Sequence, residues 1–84
     1  MVNRDDNAAI RRELGIRIRR LRTQQGMSQQ MLAEESGVHR AYLATVETGS
    51  RNVSANNLIR IAHALNITLS ALCEGIDVEM QGRD

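Results

Sequence analysis

The chain has 84 residues, enough for one domain around one modest core. Tyr42 is the only aromatic residue and proline is absent, so a core of Leu, Ile, Val, Ala and Met carried on helices is expected. The net charge of +1 conceals an uneven distribution, and a single cysteine rules out an internal disulfide and suits a reducing cytoplasm.

All the basic residues are arginine. Six of them lie between Arg11 and Arg22 against one acid, Glu13, whereas four acids face one arginine from Glu74 onward. A basic front and an acidic end point to a phosphate-bearing partner met by one part of the chain. No secretory leader and no apolar run long enough for a membrane span are read, so no membrane partner is expected and a cytoplasmic, nucleoid-associated protein is.

Residues 1–7 read as a polar N-terminal arm, 8–75 as one helical domain and 76–84 as a C-terminal tail. From Ala8 the pattern turns helical, with Ile10, Leu14, Ile18 and Leu21 on one stripe and most of the arginines reading as a solvated face. Gln25-Gly26 should stop this helix. Ser28 is placed to cap a second helix, Gln29 to about Ser36, with Leu32 and Ala33 inward and Gly37 as its break. A third helix is expected from about Arg40 to Thr48, with Leu43 and Val46 inward and Gly49 as its stop. Ser54 should cap a fourth, about Ala55 to Leu65, carrying Leu58, Ile61, Ala62 and Leu65 inward, with Asn66 in the left-handed stop. Thr68 or Ser70 begins a short fifth helix that ends by Gly75. The predicted fold class is therefore all-α: five short helices in one compact domain.

The stretch Gln29 to Thr48 is the informative one. Two short helices joined through Gly37, with Val38, Leu43 and Val46 setting the angle between them, form a helix-turn-helix. In that arrangement one helix crosses the phosphate backbone while the next enters the major groove, about 12 Å wide, of double-stranded DNA. Arg40, exposed at the start of the third helix, is a candidate for bidentate donation to guanine, or else holds a phosphate. Ala41 and Thr45 share that face and can offer methyl groups to thymine, and the Thr45 hydroxyl can also bond a base or phosphate. His39 either lies over a phosphate or simply starts the helix. Tyr42 either fills the core edge or offers its hydroxyl to a phosphate.

The run Gly26-Met27-Ser28-Gln29, then Leu32-Ala33, Gly37-Val38, Glu47 with Gly49, and the Ala64-Leu65-Asn66-Ile67 turn resemble the lambda-repressor/Cro-type helix-turn-helix family over about residues 14 to 73. The phrase from Val38 to Ser54 is closer still to small controller proteins of restriction–modification systems. The resemblance implies a lambda-repressor-like domain that binds DNA as a homodimer on a palindromic operator and activates or represses transcription. It places Gln29 on a phosphate beside the Ser28 cap, Arg51 and Asn52 along the DNA backbone, and Arg22 with Glu47 in a buried structural ion pair. Val53 departs from the family's usual proline and His39 from its usual Ser or Thr cap.

Pairing requires an apolar surface away from the third helix. Ile59, Ile67, Ile76, Val78 and Met80 are the candidates, because they have no evident core to enter. No enzyme, cofactor, metal site or small-molecule ligand is expected: His39, His63 and Cys73 lie apart, and no nucleophile–base set or phosphate loop is present. The alternative function is an antitoxin-like protein-interaction module with secondary DNA binding. The few residues after Gly75 are short for wrapping a toxin.

Overall fold

The computed structural model describes residues 4–76, with side chains from Ala8 onward. Five helices follow in chain order: α1 (Arg4–Gln24), α2 (Gln29–Ser36), α3 (Arg40–Thr48), α4 (Ala55–Ala64) and α5 (Leu69–Cys73). The all-α expectation holds among the described residues. The helix α1 begins at Arg4 and not at Ala8, because apolar periodicity marks only the part of a helix that packs.

The ends of the helices are chemically well marked. Ser28 accepts from the Met31 amide at 3.0 Å, Ser54 from Asn57 at 3.1 Å and Thr68 from Ala71 at 3.0 Å. At the end of α2, Gly37 has φ +77°, a left-handed value that lets its amide and that of Val38 return to the Ala33 carbonyl. Asn66, at φ 63°, takes the left-handed position after α4.

The core is one cluster drawn from all five helices. Leu14 and Ile18 of α1 meet Leu32 and Ala33 of α2, Leu43 and Val46 of α3, Ile61 and Ala62 of α4, then Leu65 and Leu72. Ile10, Leu21 and Leu58 pack at its margin. Ile76 is 9% exposed and belongs to the same cluster. The expectation that Ile67 and Ile76 lack a core is therefore corrected: Ile67 packs half-buried against the cluster, and past Gly75 the chain seats Ile76 within it. Val78 and Met80 lie outside the described residues.

Helices α1 and α3 cross in direct backbone contact at Gly15. A Cβ there would stand 2.4 Å from the Glu47 carbonyl oxygen and 2.6 Å from that of Val46. The two backbones touch, and only glycine permits it.

Three side chains on or just beyond α1 bond carbonyls at the ends of other helices. Arg11 Nε donates to the Gly49 carbonyl at 3.2 Å, Arg17 Nη1 and Nη2 donate to Leu72 and Glu74 at 3.2 and 3.1 Å, and Gln25 Nε2 donates to Leu65 at 2.8 Å. Helix C-termini leave carbonyls without intrahelical partners, and these contacts satisfy several of them. Arg11 and Arg17 are thus tertiary clamps and not part of a free solvated face.

Gly15→Ala gives a direct test of the crossing. Gly→Ala within a helix ordinarily stabilises by roughly 1 kcal/mol. Here it should cost about 3 kcal/mol, the upper end for overpacking, because the neighbours are backbone atoms that cannot rotate away. Urea denaturation checks this, and a raised midpoint would show that α1 and α3 separate freely.

Candidate nucleic-acid interface

The third helix presents two contrasting faces. Leu43, Val46 and Glu47 are buried, whereas Arg40, Ala41 and Thr48 are exposed and Tyr42 and Thr45 half-buried. The period of 3.6 residues explains this division and places Arg40, Ala41 and Thr45 on neighbouring outward positions. Among the described residues the Arg40 guanidinium has no hydrogen-bond or ion-pair partner, so its donors face solvent.

Thr45 is more constrained than its position suggests. Its hydroxyl donates to the Tyr42 carbonyl at 2.6 Å. A hydroxyl carries one proton, so in this conformation Thr45 can only accept, or offer its methyl group. A phosphate oxygen also only accepts, so in this conformation the Thr45 hydroxyl cannot bond a phosphate. His39 occupies the cap position of α3 in an extended conformation and makes no side-chain cap bond. The first amides of α3 therefore remain unclaimed by a capping side chain.

The loop after α3 is stitched to the rest of the domain. The Arg51 guanidinium lies over the Tyr42 ring, 5.5 Å from its centroid. Asn52 Oδ1 accepts from Arg11 Nη1 at 3.3 Å, which turns the donor end of its amide away from Arg11. Sequence reasoning did not single out Arg11 for this role, nor Asn57, which lines a shallow hollow with Gly37, Val38, His39 and Tyr42 at the start of α3.

Beneath this surface Arg22 and Glu47 meet in a two-point ion pair. Arg22 Nε donates to Glu47 Oε2 at 2.7 Å and Nη2 donates to Oε1 at 2.9 Å, both within the buried interior. Nη1 reaches the Met27 carbonyl at 2.8 Å. The hydrogen bond to Glu47 raises the Arg22 pKa above its ordinary value and outweighs the opposing effect of burial. Gln29, half-buried at the first position of α2, donates from Nε2 to Glu47 Oε1 at 3.1 Å. No described side-chain polar atom in the interior lacks a partner.

Burial pushes the Cys73 thiol up, against a smaller opposite pull from Arg17, so its thiolate is disfavoured. Among the described residues no group of three or more His, Cys, Asp or Glu could hold a metal ion, and no helix is long and apolar enough to cross a membrane.

Two short helices joined by a left-handed glycine, the second with an exposed arginine at its start, define a helix-turn-helix protein. Comparison with known proteins agrees: a helix-turn-helix family model matches residues 18–72, and the chain belongs to that family, of the lambda-repressor/Cro type. The chain is 41% identical over 63 residues to the control protein C.SmaI of Serratia marcescens, covering 75% of each chain. It is 37% identical over 71 residues to the control protein C.MunI of a Mycoplasma species, covering 83% of this chain and 96% of that one. The crystal structure of the restriction–modification controller protein C.AhdI from Aeromonas hydrophila superposes with a TM-score of 0.72 at 45% identity, over 74% of this chain and 94% of the other.

Two measurements follow. Glu47→Ala leaves Arg22 charged in the interior without its partner, a loss of roughly 3–5 kcal/mol. The melting temperature in the absence of DNA should fall sharply, and an unchanged value would place the pair in solvent. Cys73 should react with a thiol reagent at neutral pH more slowly in the folded chain than in denaturant, since burial holds it in the neutral form; equal rates would contradict that.

Proposed function

We propose that this protein is a transcription regulator that binds a palindromic duplex operator as a homodimer, in the manner of a restriction–modification controller. The observation that carries the reading is the unpartnered Arg40 guanidinium, exposed on a helix whose opposite face is locked to α1. Arg40 reads guanine O6 and N7, Ala41 and Thr45 meet neighbouring base edges, and Gln29, Ser28, His39, Tyr42, Arg51 and Asn52 line the backbone path. The likeness to proteins named as control proteins supports the operon-control part of this reading.

A single recognition helix spans about 4–5 base pairs, too few to select one site among the roughly million competitors of a genome. Two-fold pairing sets two such helices about 34 Å apart on successive groove segments. Ile59 of α4 and Ile67 after it are half-buried, and Ile67 borders a shallow hollow with His63, Asn66, Thr68 and Ala71. This apolar surface is the proposed pairing face.

Fluorescence anisotropy on operator and non-operator duplexes tests the reading of bases. Arg40→Ala should weaken operator binding by roughly 1–3 kcal/mol and leave non-operator binding nearly unchanged. Equal losses on both duplexes would make Arg40 a phosphate anchor.

Sedimentation should give about twice the 9.4 kDa chain mass at micromolar concentration. Ile59→Asp with Ile67→Asp should shift it to monomer while the helical circular dichroism persists. A folded double variant that stays dimeric would move the interface elsewhere.

A further inference from the structure

The Glu47 carboxylate has more than one hydrogen-bond partner outside its own helix. Besides Arg22, it accepts from Gln29 Nε2 at the opposite end of the helix-turn-helix, 18 residues away in sequence. The pairing also fixes which end of the amide faces inward. A carboxylate only accepts, so the NH2 end of Gln29 and not its carbonyl must face Glu47.

An amide NH2 carries two protons. Glu47 takes one, and the other remains for a second acceptor. Gln29 is the first residue of α2, beside first-turn backbone amides that have no intrahelical partner, and Ser28 satisfies that of Met31 and not those of Gln29 or Gln30. A Gln29 side chain free in solvent would sample many rotamers and lose that freedom on binding, at a cost that a side chain already held does not incur.

We propose that Glu47 is a positioning residue for the DNA backbone contact: it holds the Gln29 amide so that one Nε2–H bonds Glu47 and the second is presented to a phosphate oxygen. The inference rests on the DNA-binding reading above. Through it, the buried pair that fixes the angle of α3 also fixes the donor at the start of α2. Correct seating of the recognition helix and readiness of the phosphate contact then become one event.

The test is a double-mutant cycle on Gln29 and Glu47, read as affinity for a labelled non-operator duplex at a temperature where every variant shows native helical circular dichroism. In the wild-type background, Gln29→Ala should raise Kd about tenfold, the effect of losing a hydrogen bond to a charged group. In the Glu47→Gln background, where the amide is no longer held by a charge, the same substitution should raise Kd by less than about threefold. Losses of about threefold or more in both backgrounds overturn the inference while leaving DNA binding intact. A wild-type chain that binds no duplex overturns the DNA reading and this inference together.

Where Glu47→Gln does not fold, the wild-type protein decides by nuclear magnetic resonance. The Gln29 side-chain 15N signal, assigned by its loss in Gln29→Ala, should have an order parameter above about 0.6 before DNA is added. A value below that is the signature of a free side chain and overturns the proposal.

Discussion

The structure depends on one buried interaction, the two-point pair between Arg22 and Glu47. Three of the five guanidinium N–H groups of Arg22 are engaged: two on the carboxylate and one on the Met27 carbonyl. These contacts join α1, the turn into α2 and the end of α3 at one point. Removing two charges from water is expensive, and their attraction offsets the cost only if the geometry is good and the remaining polar atoms are satisfied. Both conditions are met here. The energetic value of the pair over an apolar substitute need not be large. Its directional value is, because a planar fork against a carboxylate fixes orientation as grease cannot.

The same reasoning explains why arginine, and not lysine, recurs along α1. Arg11 spans the Gly49 carbonyl and the Asn52 amide, and Arg17 spans Leu72 and Glu74. Each bridges two acceptors with one rigid planar group, whereas an ammonium on a flexible stem would leave its donors less well organised. With Gln25 on Leu65, one end of the chain thereby bonds carbonyls at the ends of α3, α4 and α5. Short helices are marginal alone, and five residues in α5 are far below what stands in water. Such helices persist because their apolar residues are buried and their exposed carbonyls find donors.

Local signals in the sequence carried most of the fold. Ser28, Ser54 and Thr68 as caps, Gly37, Gly49 and Asn66 as stops, and the 3.6-residue spacing of Leu14 and Ile18 all act within a few residues of where they are read. What escaped were the long-range requirements. Gly15 looks like a mildly poor helix residue until α3 is laid across it. Arg11 and Arg17 look solvated because their acceptors are 38 and 55 residues away. Ile76 follows the last helix, where no period remains to indicate which way a side chain turns. At the interface, the outward positions of Arg40, Ala41 and Thr45 could be read from periodicity. The bonds of Asn52 and Gln29 could not, since each depends on what the fold brings alongside.

Those internal bonds divide the surface by mechanical character. Asn52 is tied to Arg11 of α1, Arg51 lies over Tyr42 of α3, and the Thr45 hydroxyl is held within α3 by the Tyr42 carbonyl. They form a rim whose shape is set before any ligand arrives, which lowers the ordering cost of binding. Arg40 sits differently, at the start of α3, where His39 supplies no cap bond and no described side chain holds the guanidinium. In the DNA-binding reading proposed above, the Arg51 and Asn52 part of that rim suits contacts that every duplex offers, the evenly spaced phosphates, and Thr45, whose one hydroxyl proton is already given to Tyr42, does not share in them. A long, unpaired side chain suits the position-dependent pattern of base edges, where register must be found during binding and not before. The departure at His39 leaves the first amides of α3 without a capping side chain, next to the one outward arginine of that helix.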